Sequence, residues 1–188
     1  MSEKAIAPAF RLKPTIYDLM VIGLMAASAT ALKPILAGLV HALKASLNIP
    51  GGAIIGGIYF LPLIVGKGVS RFGFTGFFIG LTQAILMITT GAYGANGVLS
   101  LVSFSLPGLM IDVIYYTIKH ELWRAVIATA LANATGLTLV MILLGKYPLN
   151  LFVILLGAGI LGSAFMGIFN YGISKQINRI LKELHLKI

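Results

Sequence analysis

Three histidines, five carboxylates and no cysteine are all that the 188 residues offer for nucleophilic, acid–base or metal chemistry. The missing cysteine rules out a disulfide framework, a thiolate nucleophile and Cys-ligated zinc or iron–sulfur centres. There is no HExxH pair, no set of spaced aspartates, no serine–histidine pairing and no GxxxxGK[ST] phosphate loop. The chain is therefore expected to be no enzyme, to hydrolyse no ATP itself, and to carry no cofactor and no metal. What remains is neutral hydrogen-bonding chemistry. Tyr59, Gln83, Asn133 and Asn150 fall in long apolar stretches, while Asn48, Tyr93 and Asn96 fall in Gly- and Pro-rich segments between them. Polar groups inside an apolar span are costly unless satisfied, so each is a functional candidate. Amides and aromatic rings gathered from several helices at one depth form the lining expected for a small planar solute. These seven are the candidate substrate-binding residues.

The elements that would carry them follow from composition. The chain is 59% apolar and 10% charged, with a mean hydropathy of +0.99, far from the soluble average of about half apolar and a quarter charged. It is read as an all-α integral membrane protein of one domain. A spanning helix needs about 20 apolar residues, and cutting at charges and at Gly, Pro and Asn clusters predicts six, at about 15–36, 52–66, 72–91, 97–118, 124–145 and 149–178. The first 14 residues lack the basic start and short apolar core of a cleaved signal, so the first helix is expected to stay. Eleven of the fourteen Lys and Arg residues, Lys67 and Arg71 among them, fall on one side of this scheme, and Lys33, Lys44 and Lys146 on the other. Both termini are then cytoplasmic by the positive-inside rule. The net charge of +9 is assigned to cytoplasmic turns and anionic lipid headgroups of the bilayer, and no nucleic-acid partner is expected.

Several segments invite a role. The stretch from Ile35 to Leu47 has apolar residues at helical spacing, suited to the outer membrane surface, and Gly91 to Gly97 permits tight turns and close approach to a ligand. Small residues let helices approach in lipid. Gly76 and Gly80, and Ala158 and Gly162, are expected to pack the bundle, while Gly23, Ala27 and Ala31 on the first helix form the face on which a partner subunit would dock. Asp112 is read as the one carboxylate well inside a span, held by Lys67, Arg71 or a tyrosine in a structural or coupling role. His120, Glu121 and Trp123 read as boundary anchors, and the sequon at Asn133 lies too deep for glycosylation. From Lys175 onward the pattern fits either an extension on the inner leaflet or the end of the sixth helix.

Six helices, an alanine-rich first helix, a short second helix after Pro-Gly-Gly and glycine-rich outer loops together resemble the S component of an energy-coupling factor (ECF) vitamin transporter. The stretches Pro50-Gly-Gly-Ala-Ile-Ile-Gly-Gly-Ile-Tyr-Phe60, Gly91-Ala-Tyr-Gly94 and Leu106-Pro-Gly-Leu-Met-Ile-Asp-Val-Ile-Tyr-Tyr116 resemble the group that binds thiamine or its hydroxymethylpyrimidine precursor. The resemblance implies capture of a vitamin-like solute from outside, with uptake driven by a transmembrane coupling subunit and two ATPase subunits. Where that group has a Gly-Gly-Glu before the second helix and a glutamate in the third, this chain has Ala53 and the region of Gln83, and Asp112 matches a fourth-helix glutamate. The lost carboxylates argue against a cationic thiazolium and for a neutral or anionic ligand. The alternative is a membrane scaffold of the rod-shape type, which would bind no small molecule.

Overall fold

A computed structural model describes residues 11–47, 56–91, 96–144 and 148–183. Its described elements are all helical: α1 (Ile16–Leu47), α2 (Leu61–Val69), α3 (Thr75–Thr90), α4 (Leu99–Thr117), α5 (Glu121–Leu144) and α6 (Leu149–Glu183). Among the described residues there is no strand, only isolated bridges between Arg11 and Phe72 and between Asn96 and Val98. Among the described residues four helices are long and apolar enough to cross a membrane: Ile16–Ala42 within α1, then α4, α5 and α6. α3 is apolar but only 16 residues long. Large side chains such as Ile16, Ile35, Ile142 and Leu161 are more than two-thirds exposed, which suits acyl chains as their surroundings and not water. The molecule is a helical membrane protein.

The helix boundaries differ from the sequence expectation in three instructive places. α1 does not stop near residue 36 but runs through Pro34 to Leu47, so the segment from Ile35 is not a separate surface helix. Pro34 removes one backbone donor, the bond to the Thr30 carbonyl, and the apolar pattern on both sides carries the helix across. At the second helix, residues 56–59 are helical, Phe60 is a turn, and the helix resumes as α2. The interruption sits where Pro62 cannot donate to the carbonyl of Ile58. α2 then continues past residue 66, so Lys67 belongs to a buried helix and not to a cytoplasmic loop. α6 continues unbroken through Lys175 to Glu183, about 52 Å at 1.5 Å per residue. The residues from Lys175 are thus an extension of the sixth helix along its axis.

Packing runs in a chain, α1 on α3, α3 on α4, α4 on α5 and α5 on α6, while α2 touches all five and closes the gap between α1 and α6. This central place explains why its Leu63, Ile64, Val65 and Val69 are buried. The buried stripe of α5, Ala125, Ala128, Thr129, Ala132 and Asn133, repeats at three and four residues, as one face of a helix must. α3 and α4 meet backbone to backbone: a methyl group on Gly76 or on Gly108 would run into the other's carbonyl oxygen, and one on Gly80 into that of Phe104. On α6 the packing face is Gly159, Ser163 and Gly167, one position on from the expected pair; Ala158 is exposed and Gly162 half-buried. Gly91, at φ 62°, ends α3 in the left-handed conformation that favours glycine.

Candidate functional site

Two polar regions lie at opposite ends of the bundle. The first is formed by the start of α1, the end of α2, the start of α3 and the end of α4. Asp112, buried in α4, accepts the backbone N–H groups of Gly76 and Phe77 at 2.9 and 2.8 Å and pairs with Lys67 Nζ at 2.8 Å. The Lys67 ammonium also donates to the carbonyls of Phe72 and Gly73. Of the partners expected for Asp112, Lys67 is the one present. Beside it Asp18, fully buried, accepts from Thr15 Oγ1 at 2.7 Å, Ser70 Oγ at 2.8 Å and Arg11 Nη2 at 3.2 Å. Asp112 is therefore not the lone buried carboxylate, although Asp18 sits in the first turn of α1 and not well inside a span. The signal for Asp18 was the spacing Thr15-x-x-Asp18, a capping box in outline. With Asp112 paired to Lys67 and Asp18 to Arg11, the cluster ties α1, α2, α3 and α4 together.

The second region is a cavity of about 280 Å³ at the end formed by the C-terminal parts of α1, α3 and α5 and the start of α4. Tyr59, Gln83, Asn96 and Asn133 all line it, with Lys33, Phe60, Ser103 and Phe104. These four of the seven candidate binding residues come together from separate segments. Asn150 does not join them, being exposed at the start of α6, and Asn48 and Tyr93 lie outside the described residues. Gln83 is buried and its Nε2 lies 4.0 Å from Met87 Sδ, a weak partner for an amide. Asn133 donates from Nδ2 to the Gly159 carbonyl at 3.1 Å, so it joins α5 to α6 while facing the cavity. The backbone N–H of Asn96 donates to Ser100 Oγ at 2.8 Å.

Lys33, Ser103 and Phe104 also line the cavity and are not among the sequence candidates. Lys33 is 9% exposed, with its Nζ 3.4 Å from the centroid of the Phe104 ring. From sequence it reads as an outward loop charge because Pro34 follows it. The spacing nevertheless shows its direction, since Asp18, Ile22, Ala26, Ala29 and Lys33 share the buried face of α1. Ser103, 7% exposed, leaves its Oγ without a hydrogen-bond partner, and Phe104 supplies an aromatic wall. Among the described residues no three His, Asp or Glu side chains gather as a metal site would require.

The face bearing Gly23, Ala27 and Ala31 is turned away from the bundle: all three are exposed, and nothing lies within 4 Å of a methyl group placed on Gly23. Trp123 is also exposed at the start of α5, and Arg124 lies over the Tyr115 ring at 4.5 Å. No family model, curated protein or solved structure matches the chain.

Proposed function

We propose that the protein is the substrate-capturing S component of an energy-coupling factor importer for a vitamin or vitamin precursor. In this reading it has six spans with both termini in the cytoplasm of a prokaryotic cell, and the cavity faces outward. A transmembrane coupling subunit and two ATPase subunits would supply the energy. The observation that carries the proposal is the cavity of about 280 Å³ walled by Tyr59, Gln83, Asn96 and Asn133. Its size and its mix of rings and amides suit a small planar solute, and a bundle whose only task is scaffolding has no need of a wall on which Ser103 Oγ has no hydrogen-bond partner and Gln83 Nε2 only a thioether at 4.0 Å. The exposed Gly23, Ala27 and Ala31 face supports docking of the coupling subunit, because small side chains allow close backbone approach in lipid.

Native mass spectrometry of the detergent-purified protein tests the proposal. The expected result is an adduct of vitamin mass, lost in Gln83→Ala, with the variant still folded by size-exclusion profile. A bare protein that takes up no member of a panel of vitamins and precursors would favour the scaffold reading instead.

A further inference from the structure

Among the described residues two lysines are buried, and their surroundings differ. Lys67 has a carboxylate at 2.8 Å and two carbonyl oxygens. Lys33 has the face of Phe104 and, among the described residues, no carboxylate within ion-pair distance. A lone interior ammonium is strongly disfavoured, and an aromatic face offsets only part of its lost hydration. The chain has five carboxylates in all. Asp18 and Asp112 are engaged at the opposite end of the bundle, Glu121 opens α5 at that same end, and Glu183 pairs with Arg179 near the end of α6. The cavity therefore holds a buried lysine amine that none of these four carboxylates partners. Next to it Ser103 keeps a hydroxyl donor with no partner, and Gln83 an amide with only a thioether near it.

We infer that the solute taken up by this cavity is an anion, a ring compound whose carboxylate or phosphate is held by Lys33 and whose ring lies among Tyr59, Phe60 and Phe104. This rests on the capture reading above and names the class of its substrate. An ammonium donating to an anionic oxygen forms the stronger, charge-assisted kind of hydrogen bond. In the empty protein Phe104 occupies the ammonium; on binding, the anion takes that place and the ring is freed to stack. The lining amides argue for a water-soluble solute over a phospholipid headgroup, because acyl chains would need an apolar path and Gln83 and Asn133 stand on the wall.

The test joins adduct identification with matched probes. Equilibrium dialysis of the full chain in detergent compares nicotinate with nicotinamide, and hydroxymethylpyrimidine phosphate with hydroxymethylpyrimidine, on wild type, Lys33→Met and Lys33→Arg. We expect the anionic member of at least one pair to bind about tenfold or more tighter than its neutral twin, Lys33→Met to erase that preference, and Lys33→Arg to keep most of it. Any adduct carried through purification is judged likewise, and an acidic group on it supports the inference. A neutral twin bound as tightly, an adduct lacking an acidic group, or a preference that survives Lys33→Met overturns the anion assignment and leaves solute capture standing. An adduct with the mass of an anionic phospholipid overturns it in favour of lipid. Absence of both adduct and panel binding overturns capture and anion together.

Discussion

The contrast between Lys33 and Lys67 makes a stability prediction as well as a binding one. Lys67→Met strands Asp112 in the interior with only the two N–H groups of α3, and breaking such a pair costs about 3–5 kcal/mol. Lys33→Met removes a charge with no carboxylate beside it and replaces it by a chain of similar length, so it should leave the melting temperature unchanged or higher. Thermal unfolding of the two variants in the same detergent checks this; equal losses would mean that Lys33 has a counter-charge in the folded protein. The residue types around the cavity were legible because amides and tyrosines are rare in so apolar a chain. Lys33 was not, because a charge followed by proline has the same sequence appearance at a helix end and at a helix interior. Only the packing of α1 against α3 and α2 decides between them.

For the elements, the two sides of α1 have separate duties. The buried side presents Ala26, Ala29 and Lys33 to the bundle, and the outer side carries Gly23, Ala27 and Ala31. Ala27→Trp should therefore leave solute binding within about twofold, since exposed substitutions away from packed groups perturb little, while preventing co-purification with the coupling subunit and transport. Loss of solute binding in that variant would mean that the outer face bears on the cavity after all. α3 and α4 predict the reverse outcome, because a methyl group on Gly108 meets the backbone of Gly76. Gly108→Leu should abolish folded protein altogether, read as loss of the monodisperse size-exclusion peak. Boundaries set by glycine or by charge, as at Gly91, were readable from sequence. The continuation of α1 past Pro34 and the interruption of the second helix before Pro62 were not, since one proline is bridged and the other is not, and neighbours beyond the local sequence decide which.

Across the whole molecule, orientation is the claim on which the use of the cavity depends. Lys67 and Lys33 leave the count of loop charges, one from each side, so the excess of Lys and Arg still falls on the side of Lys13, Lys119 and Lys182. With no native cysteine, single substitutions give a clean readout. A membrane-impermeant maleimide applied to intact cells should label Val98→Cys and Pro148→Cys and spare Lys13→Cys, Lys119→Cys and Lys182→Cys. The opposite pattern would turn the cavity toward the cytoplasm and end the importer reading. The central helix has a consequence for how the chain is made. α2 is nine residues long and carries a buried lysine, a weak signal for independent entry into a bilayer. Its neighbourhood is finished only by the last element, where Asn170 donates to the Gly57 carbonyl at 3.2 Å and Asn178 to that of Gly68 at 3.1 Å. A nascent chain halted before Leu149 would hold its middle without those two amide donors, so α2 is fully enclosed only when α6 arrives, and quality control has until then a half-built bundle to recognise.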